Sequence, residues 1–421
     1  MPEPGLADGP PGGPSWLSGP DHHEWLAAEE RRLVGFYEAH ALDDRIGYAP
    51  LDAEGNPETG ADRELWLTCR MIHCFALEHL RGRPGAAAVA AHGLRALNEW
   101  FADGEHGGWF AAVAPDGTAA DTTKSAYGHA FVILAGASAA QAGLPGGAAL
   151  LAEALRVVDE RFWRPDEAAV VDACTREWAV TEPDYRGQNA NMHLAEAYMA
   201  ASEALADDRH AVRAMRIAER IIDRAARERH WRVPEHFDAT WTVVPDYNAD
   251  APADRFRPFG SLVGHWFEWS RLLLQLDALL PGRAPWAVEA ARELFAAAVA
   301  DGWDRDRGGL GYSVDFEGRP VDPTRMHWVL AEAIGAAAGL AAATGEAGYE
   351  RWYRAFWDCV ATRHLDRRGG GWWHELDADG APKGDTWAGK PDLYHALQAT
   401  LYARSRPGAG LVAAAREGRR P

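Results

Sequence analysis

His265 and Glu268 stand three residues apart in Phe259–Trp269, among aromatic and small side chains. A titratable pair inside an apolar helix is costly without a partner or a task. Three further segments share this character. Asn189 and His193, four apart in Tyr185–Glu196, fall on one side of a helix start. The alternative there is a capping cluster with a structural His. Arg70 lies one turn beyond Trp66 in the apolar run Leu65–His73, facing either a polar cavity or one of the chain's many carboxylates. His395 follows Lys390-Pro391-Asp392 at the opening of the last long helix, with Pro391 near its first turn. Such residues suit proton transfer. Imidazole accepts and returns a proton near neutral pH, and a fixed guanidinium stabilises a growing oxyanion.

Other chemistries find less support. HxxE occurs twice, as His193/Glu196 and His265/Glu268, and such pairs serve metal sites in helical bundles. There is no HExxH, EF-hand loop or cysteine partner, so a metal-free polar site is expected. No GxxxxGK[ST] or GxSxG occurs, which disfavours nucleotide binding and a serine nucleophile.

The elements that must hold these residues are helices. Residues 23–42, 211–231 and 325–344 place apolar side chains at i, i+3, i+4 and i+7. The breaks between helices repeat one another. Gly107-Gly108-Trp109 leads to Pro115-Asp116-Gly117, Gly308-Gly309-Leu310 to Phe316-Glu317-Gly318, and Gly370-Gly371-Trp372 to Ala378-Asp379-Gly380. A comparable turn stands at Arg164-Pro165-Asp166. Each unit suits a small β-hairpin capping a helix pair. A period of roughly 60–75 residues implies about six helical hairpins. No polar capping repeats are visible, so a closed toroid with a central funnel is expected rather than an open solenoid. Residues 1–20 and 405–421 are Pro/Gly-rich and read as a disordered extension and a flexible tail. Residues 21–404 read as one domain.

The 421 residues carry 62 acidic and 43 basic side chains, a formal charge of -19, which disfavours nucleic acid and anionic membranes. Four cysteines without a CxxC pair are too few for a disulfide scaffold. No secretory signal pattern or run of eighteen apolar residues appears, so a cytoplasmic protein is expected. The 19 Trp are an unusual surplus.

Six motifs in this order resemble the N-acylglucosamine 2-epimerase family of sugar epimerases and isomerases. They are LWLTCRMIH (Leu65–His73), YRGQNANMH (Tyr185–His193), EHFDATW with PDYNADAPADRFRPFG (within Glu235–Gly260), GHWFEW (Gly264–Trp269), WWHELD (Trp372–Asp377) and KPDLYH (Lys390–His395). The resemblance runs from about residue 21 to about residue 400 and is nearest the branch of mannose and sulfoquinovose isomerases. It implies an all-α (α/α)6 barrel with short β-hairpins in its loops, acting on a small sugar without cofactor or metal as a monomer or homodimer. The implied reaction interconverts D-mannose and D-fructose, or D-lyxose and D-xylulose, through a cis-enediol. His395 would move the C1/C2 proton and His265 would assist ring opening. His193 and Glu268 would hold hydroxyls, and Arg70 would steady the enediolate. Trp66, Tyr127, Asn189, Met192, Trp328, Glu332 and His374 would surround the sugar. The sulfoquinovose isomerases resembled here carry Gln at the positions of His374 and Pro391, so an unmodified hexose is preferred. Alternatives are a sulfoquinovose isomerase, a cellobiose or N-acylglucosamine 2-epimerase, an inverting glycoside hydrolase using carboxylates near Glu182, Asp184 and Glu235, or a non-catalytic sugar-binding protein.

Overall fold

Ala- and Leu-rich segments give strong helix propensity, and Gly- and Asp-bearing turns interrupt them at regular intervals. The result, in a computed structural model describing residues 15–418, is a double ring of helices. The first helix, α1 (Pro20–His40), belongs to the outer ring. Inner and outer helices then alternate. They are α2 (Leu65–Leu80) with α3 (Ala86–Ala96), α4 (Ala126–Gln141) with α5 (Gly147–Val157), α6 (Gln188–Leu205) with α7 (Asp208–Ala218), α8 (Val263–Leu279) with α9 (Ala287–Gly302), and α10 (His327–Thr344) with α11 (Ala347–Cys359). The last inner helix, α12 (Tyr394–Tyr402), packs on α1 and returns to α2, closing the ring. This is the expected (α/α)6 barrel. Helix α10 is long and apolar enough by composition to cross a membrane. Here its apolar surface packs against α8, α11 and α12, and it carries buried Glu332.

Short antiparallel pairs tie the start of every inner helix but the last to the next unit. Arg63–Glu64 pairs with Ala112–Val113, Lys124–Ser125 with Ala173–Cys174, and Tyr185–Gly187 with His236–Asp238. Ser261–Leu262 pairs with Ser313–Val314, and Arg325–Met326 with Glu375–Leu376. Three of the partners belong to the expected hairpins, whose turns hold Gly117, Gly318 and Gly380 at φ +90, +81 and +92. Those backbone conformations favour glycine. The strands fix the N-terminal ends of α2, α4, α6, α8 and α10 around one rim, and the chemistry-bearing residues stand on those ends.

The terminal expectations need revision. Residues 1–14 lie outside the described residues. From residue 15 the chain is seated: Trp16 stacks on His22 at 4.6 Å, and its backbone N–H donates to Glu350 Oε1 at 2.7 Å. The expected flexible tail contains a helix, α13 (Leu411–Gly418), that packs on α2, α4 and α6 with Leu411 and Val412 buried. Pro/Gly composition drew attention to the Ser405–Gly410 turn and hid the apolar anchor behind it. The last inner helix also begins later than expected. Pro391 precedes it, Asp392 Oδ1 accepts from the Tyr394 N–H at 2.7 Å, and His395 is the second helical residue.

Candidate active site

The rim ends of the inner helices converge on a cavity of about 70 Å³. Trp66 and Arg70 reach it from α2, Tyr127 from α4, Asn189 and His193 from α6, His265 and Glu268 from α8, Trp328 from α10 and His395 from α12. His374 lines it from the last hairpin loop. Beyond an edge-to-face cluster of Trp66, Phe256 and Trp387 lies a vestibule of about 730 Å³.

Two expected residues stand elsewhere. Met192 is fully buried in the hydrophobic core, because its helix turns it away from the axis while Asn189 and His193 face it. Glu332 is also fully buried and does not line the cavity. It stands behind His395, accepting from Nδ1 at 2.9 Å, so it acts through that imidazole.

His265 is held in a parallel way. Its Nδ1 lies 3.0 Å from both oxygens of Glu235, and Gln188 donates to the same carboxylate at 2.8 Å. With Nδ1–H given to Glu332, His395 keeps Nε2 as its free acceptor, whereas His265 Nδ1 meets both the Glu235 carboxylate and the Gln188 amide nitrogen, the latter at 2.7 Å. The ring of Trp328 lies between them, 5.3 Å from His265 and 5.8 Å from His395. A Cβ at residue 264 would fall 2.3 Å from that indole, so Gly264 is required for its position. Burial lowers the His395 pKa below the ordinary value, with Glu332 opposing the shift, which leaves the ring neutral at neutral pH.

Arg70 answers both readings made of it. Its guanidinium lies 4.7 Å from the Trp66 ring and is caged by Phe131 and Tyr394. It also pairs with Asp392 at 3.3 Å and donates to the Tyr127 hydroxyl at 3.3 Å. Burial opposes its charge, but Tyr127 and Asp392 raise its pKa further and keep it cationic.

Beneath these groups is a layer organised by Arg271. Its guanidinium donates to Glu332 at 2.8 Å and Glu196 at 3.2 Å, and lies 3.8 Å from Glu268. Tyr394 donates to Glu196 at 2.7 Å. Three carboxylates share one cation, and they do not all ionise. Burial, then Glu332 and Glu196, push Glu268 well above the usual carboxylate range, making it a proton donor on the cavity wall. Burial lowers the His193 pKa to about 4.

His193, Glu196 and Glu268 bring ligand atoms within 4.8 Å of one another, the geometry that HxxE suggested for a metal. A cation there would need Glu268 ionised and would compete with Arg271 for the same oxygens.

Several buried polar atoms around the cavity have no hydrogen-bond partner in the protein: Arg70 Nε, Asn189 Oδ1, His193 Nδ1, Glu268 Oε1 and His327 Nε2. Buried polar atoms are normally paired, so this cluster is matched to a ligand rich in hydroxyls. His327, stacked on His374 at 3.8 Å, was not foreseen, nor were Asp392, Arg271 and Phe256, and Glu235, weighed in the sequence as a hydrolase carboxylate, stands behind His265. Arg271 had a signal, one turn beyond Glu268 on an apolar helix; the others are joined to their partners only by the fold.

The profile described as N-acylglucosamine 2-epimerase (GlcNAc 2-epimerase) matches residues 47–399. The chain belongs to this family. It is 49% identical over 387 residues to a D-mannose isomerase of Thermobifida fusca, covering 91% of this chain and 95% of that one. To a D-mannose isomerase of Pseudomonas cannabina pv. alisalensis it is 46% identical over 392 residues, covering 92% and 94%. A crystal structure of D-mannose isomerase superposes with a TM-score of 0.86 at 30% identity, covering 93% of this family member and 99% of that chain.

Proposed function

We propose that the chain is a metal-independent aldose–ketose isomerase that interconverts D-mannose and D-fructose, with D-lyxose and D-xylulose as a smaller pair, in the cytoplasm. The observation that carries this reading is the pair of carboxylate-held imidazoles flanking Trp328, in a cavity whose unpartnered polar atoms suit sugar hydroxyls.

In this account His265 assists ring opening, and Trp328 packs on the C–H face of the open sugar. His395 Nε2 takes the proton from C2, Nδ1–H remaining on Glu332. The electron pair left on C2 forms the C1–C2 double bond as the carbonyl oxygen takes a proton, which Glu268 is disposed to supply. Arg70 steadies the developing enediolate. His395 returns its proton to C1, and Glu268, left ionised by the first step, takes the O2 proton, which completes the ketose and restores both groups.

The far wall favours an uncharged hexose. Burial holds His374 near a pKa of about 4 and, with His374 and His395 beside it, pushes His327 well below the ordinary value, so both are neutral. Pro391 offers no donor, and Arg255 is paired with Glu64 and laid over Trp387. A sulfonate would find no free cation there. The equivalence of the two histidine–carboxylate pairs favours, as a second reading, a 2-epimerase of the same family, with bases on opposite sugar faces.

A comparison of kcat/KM for D-mannose, D-lyxose, sulfoquinovose, cellobiose and N-acetylglucosamine decides among these. D-mannose giving D-fructose with the highest value is expected. An aldose product would support the epimerase, and inactivity on every sugar of the panel would defeat both readings.

A further inference from the structure

The barrel axis holds a second cavity, of about 90 Å³, below the Arg271 layer. It repeats the construction of the upper one. The same inner helices contribute the residue one to three turns further on: His73 after Arg70, Glu203 after His193, Gln275 after Glu268, Gly339 after Trp328 and Gln398 after His395. The Ser405–Val412 segment closes the floor. Its approach is close, since a Cβ at Gly410 would fall 2.2 Å from the Glu203 carboxylate. Glu196 and Arg271 form the partition, Arg271 bonding Glu332, the support of His395, on one side and both residues lining this cavity on the other.

Its walls carry unpartnered hydrogen-bonding atoms on side chains more than nine-tenths buried: His73 Nε2, both amide atoms of Gln141, and Gln398 Nε2. Their polarity can be assigned. Ser138 spends its only proton on Leu134 O at 2.7 Å, so its Oγ accepts from His73 Nδ1–H at 2.7 Å. His73 Nε2 is therefore an acceptor, on a ring that burial keeps neutral. Gln398 Oε1 accepts from Tyr402 at 2.8 Å, which leaves its Nε2 as a donor. Gln141 offers one of each. The charges nearby are answered: Arg271 by Glu196 and Glu332, Arg406 by Glu417, and Glu203 by the Gly410 N–H together with burial that raises its pKa.

We propose that this axial cavity is a second binding site, for a small uncharged polyol of the size of a three-carbon triol. Hydroxyls both donate and accept, which matches alternating acceptors and donors with no net charge. The volume corresponds to roughly three water-sized groups. The site stands whatever sugar the upper cavity takes.

The test is saturation-transfer NMR of the full chain with glycerol at low millimolar concentration. Transfer is expected in the wild type, at least tenfold weaker in Gln141→Leu/Gln398→Leu, and unchanged in Trp328→Ala, which alters only the upper cavity. No transfer in the wild type, or transfer surviving the double substitution, would overturn the proposal and leave ordered water as the occupant. Circular dichroism confirms folding. Ala200→Met, which fills the cavity without removing a polar atom, is read in the same way if the double variant does not fold.

Discussion

His395 owes its character to what stands behind it. Glu332 fixes the Nδ1 proton, burial lowers the pKa, and the two act in opposite directions on the charged form. Because the folded value lies below 6.5, the ring is a competent base at neutral pH, and kcat/KM should fall only as the medium is acidified below that point. Replacing Glu332 by Gln removes the influence that favours the imidazolium, so the acid limb of the profile should move to lower pH. The kcat should drop roughly 10²-fold or more while KM changes little. An unmoved acid limb would assign Glu332 a purely structural role. At this scale the sequence was readable where both partners lie on one helix, as with Trp66 and Arg70. Glu332 was placed one layer too high, since periodicity gives the face of a helix and not the depth to which a side chain reaches. Asp392, and the pairing of Glu235 with His265, stayed hidden because the partners meet across 322 and 30 residues of chain.

The elements explain why such distant residues meet. Five of the six inner helices start at a strand of two or three residues locked to the next unit, so five rim ends are held by backbone hydrogen bonds and not by packing alone. Helix α12 has no such strand, and Asp392 takes its place by capping the helix and pairing with Arg70. Asp392→Asn keeps a capping oxygen and removes the charge, leaving a buried guanidinium short of its partner. A loss of about 3 kcal/mol of unfolding free energy is expected by urea denaturation, together with a fall in kcat. The Gly-aromatic turns made the repeat, and hence the barrel, legible from sequence. The beginning of α12 was not, because Pro391 suits a helix N-terminus as well as the loop before one.

At the scale of the whole molecule, burying so many imidazoles has a thermodynamic cost in acid. His73, His193 and His374 each titrate near 4 in the folded chain against an ordinary 6.5. Between those values the unfolded chain binds more protons, so stability is complete above pH 6.5 and declines as the pH falls towards 4. Each residue contributes about 3 kcal/mol to that loss. The urea midpoint should therefore drop steeply across this interval, and a flat midpoint would contradict the burial of these rings. The Trp surplus divides between Trp66 and Trp328 at the sugar cavity and fully buried residues such as Trp266, Trp352 and Trp372 that fill space between the rings. Composition announced the surplus, and only the closed ring separates its two uses.

In the proposed reaction His395 transfers the C1/C2 proton without a metal. The most direct test of that transfer is the rate of D-fructose formation from D-mannose by EDTA-treated wild-type and His395→Asn enzyme. Full activity is predicted for the wild type and a loss of ~10²–10⁴-fold for the variant with its fold intact. A variant within tenfold of the wild type, or a wild-type enzyme whose activity returns only with a divalent ion, would contradict the account.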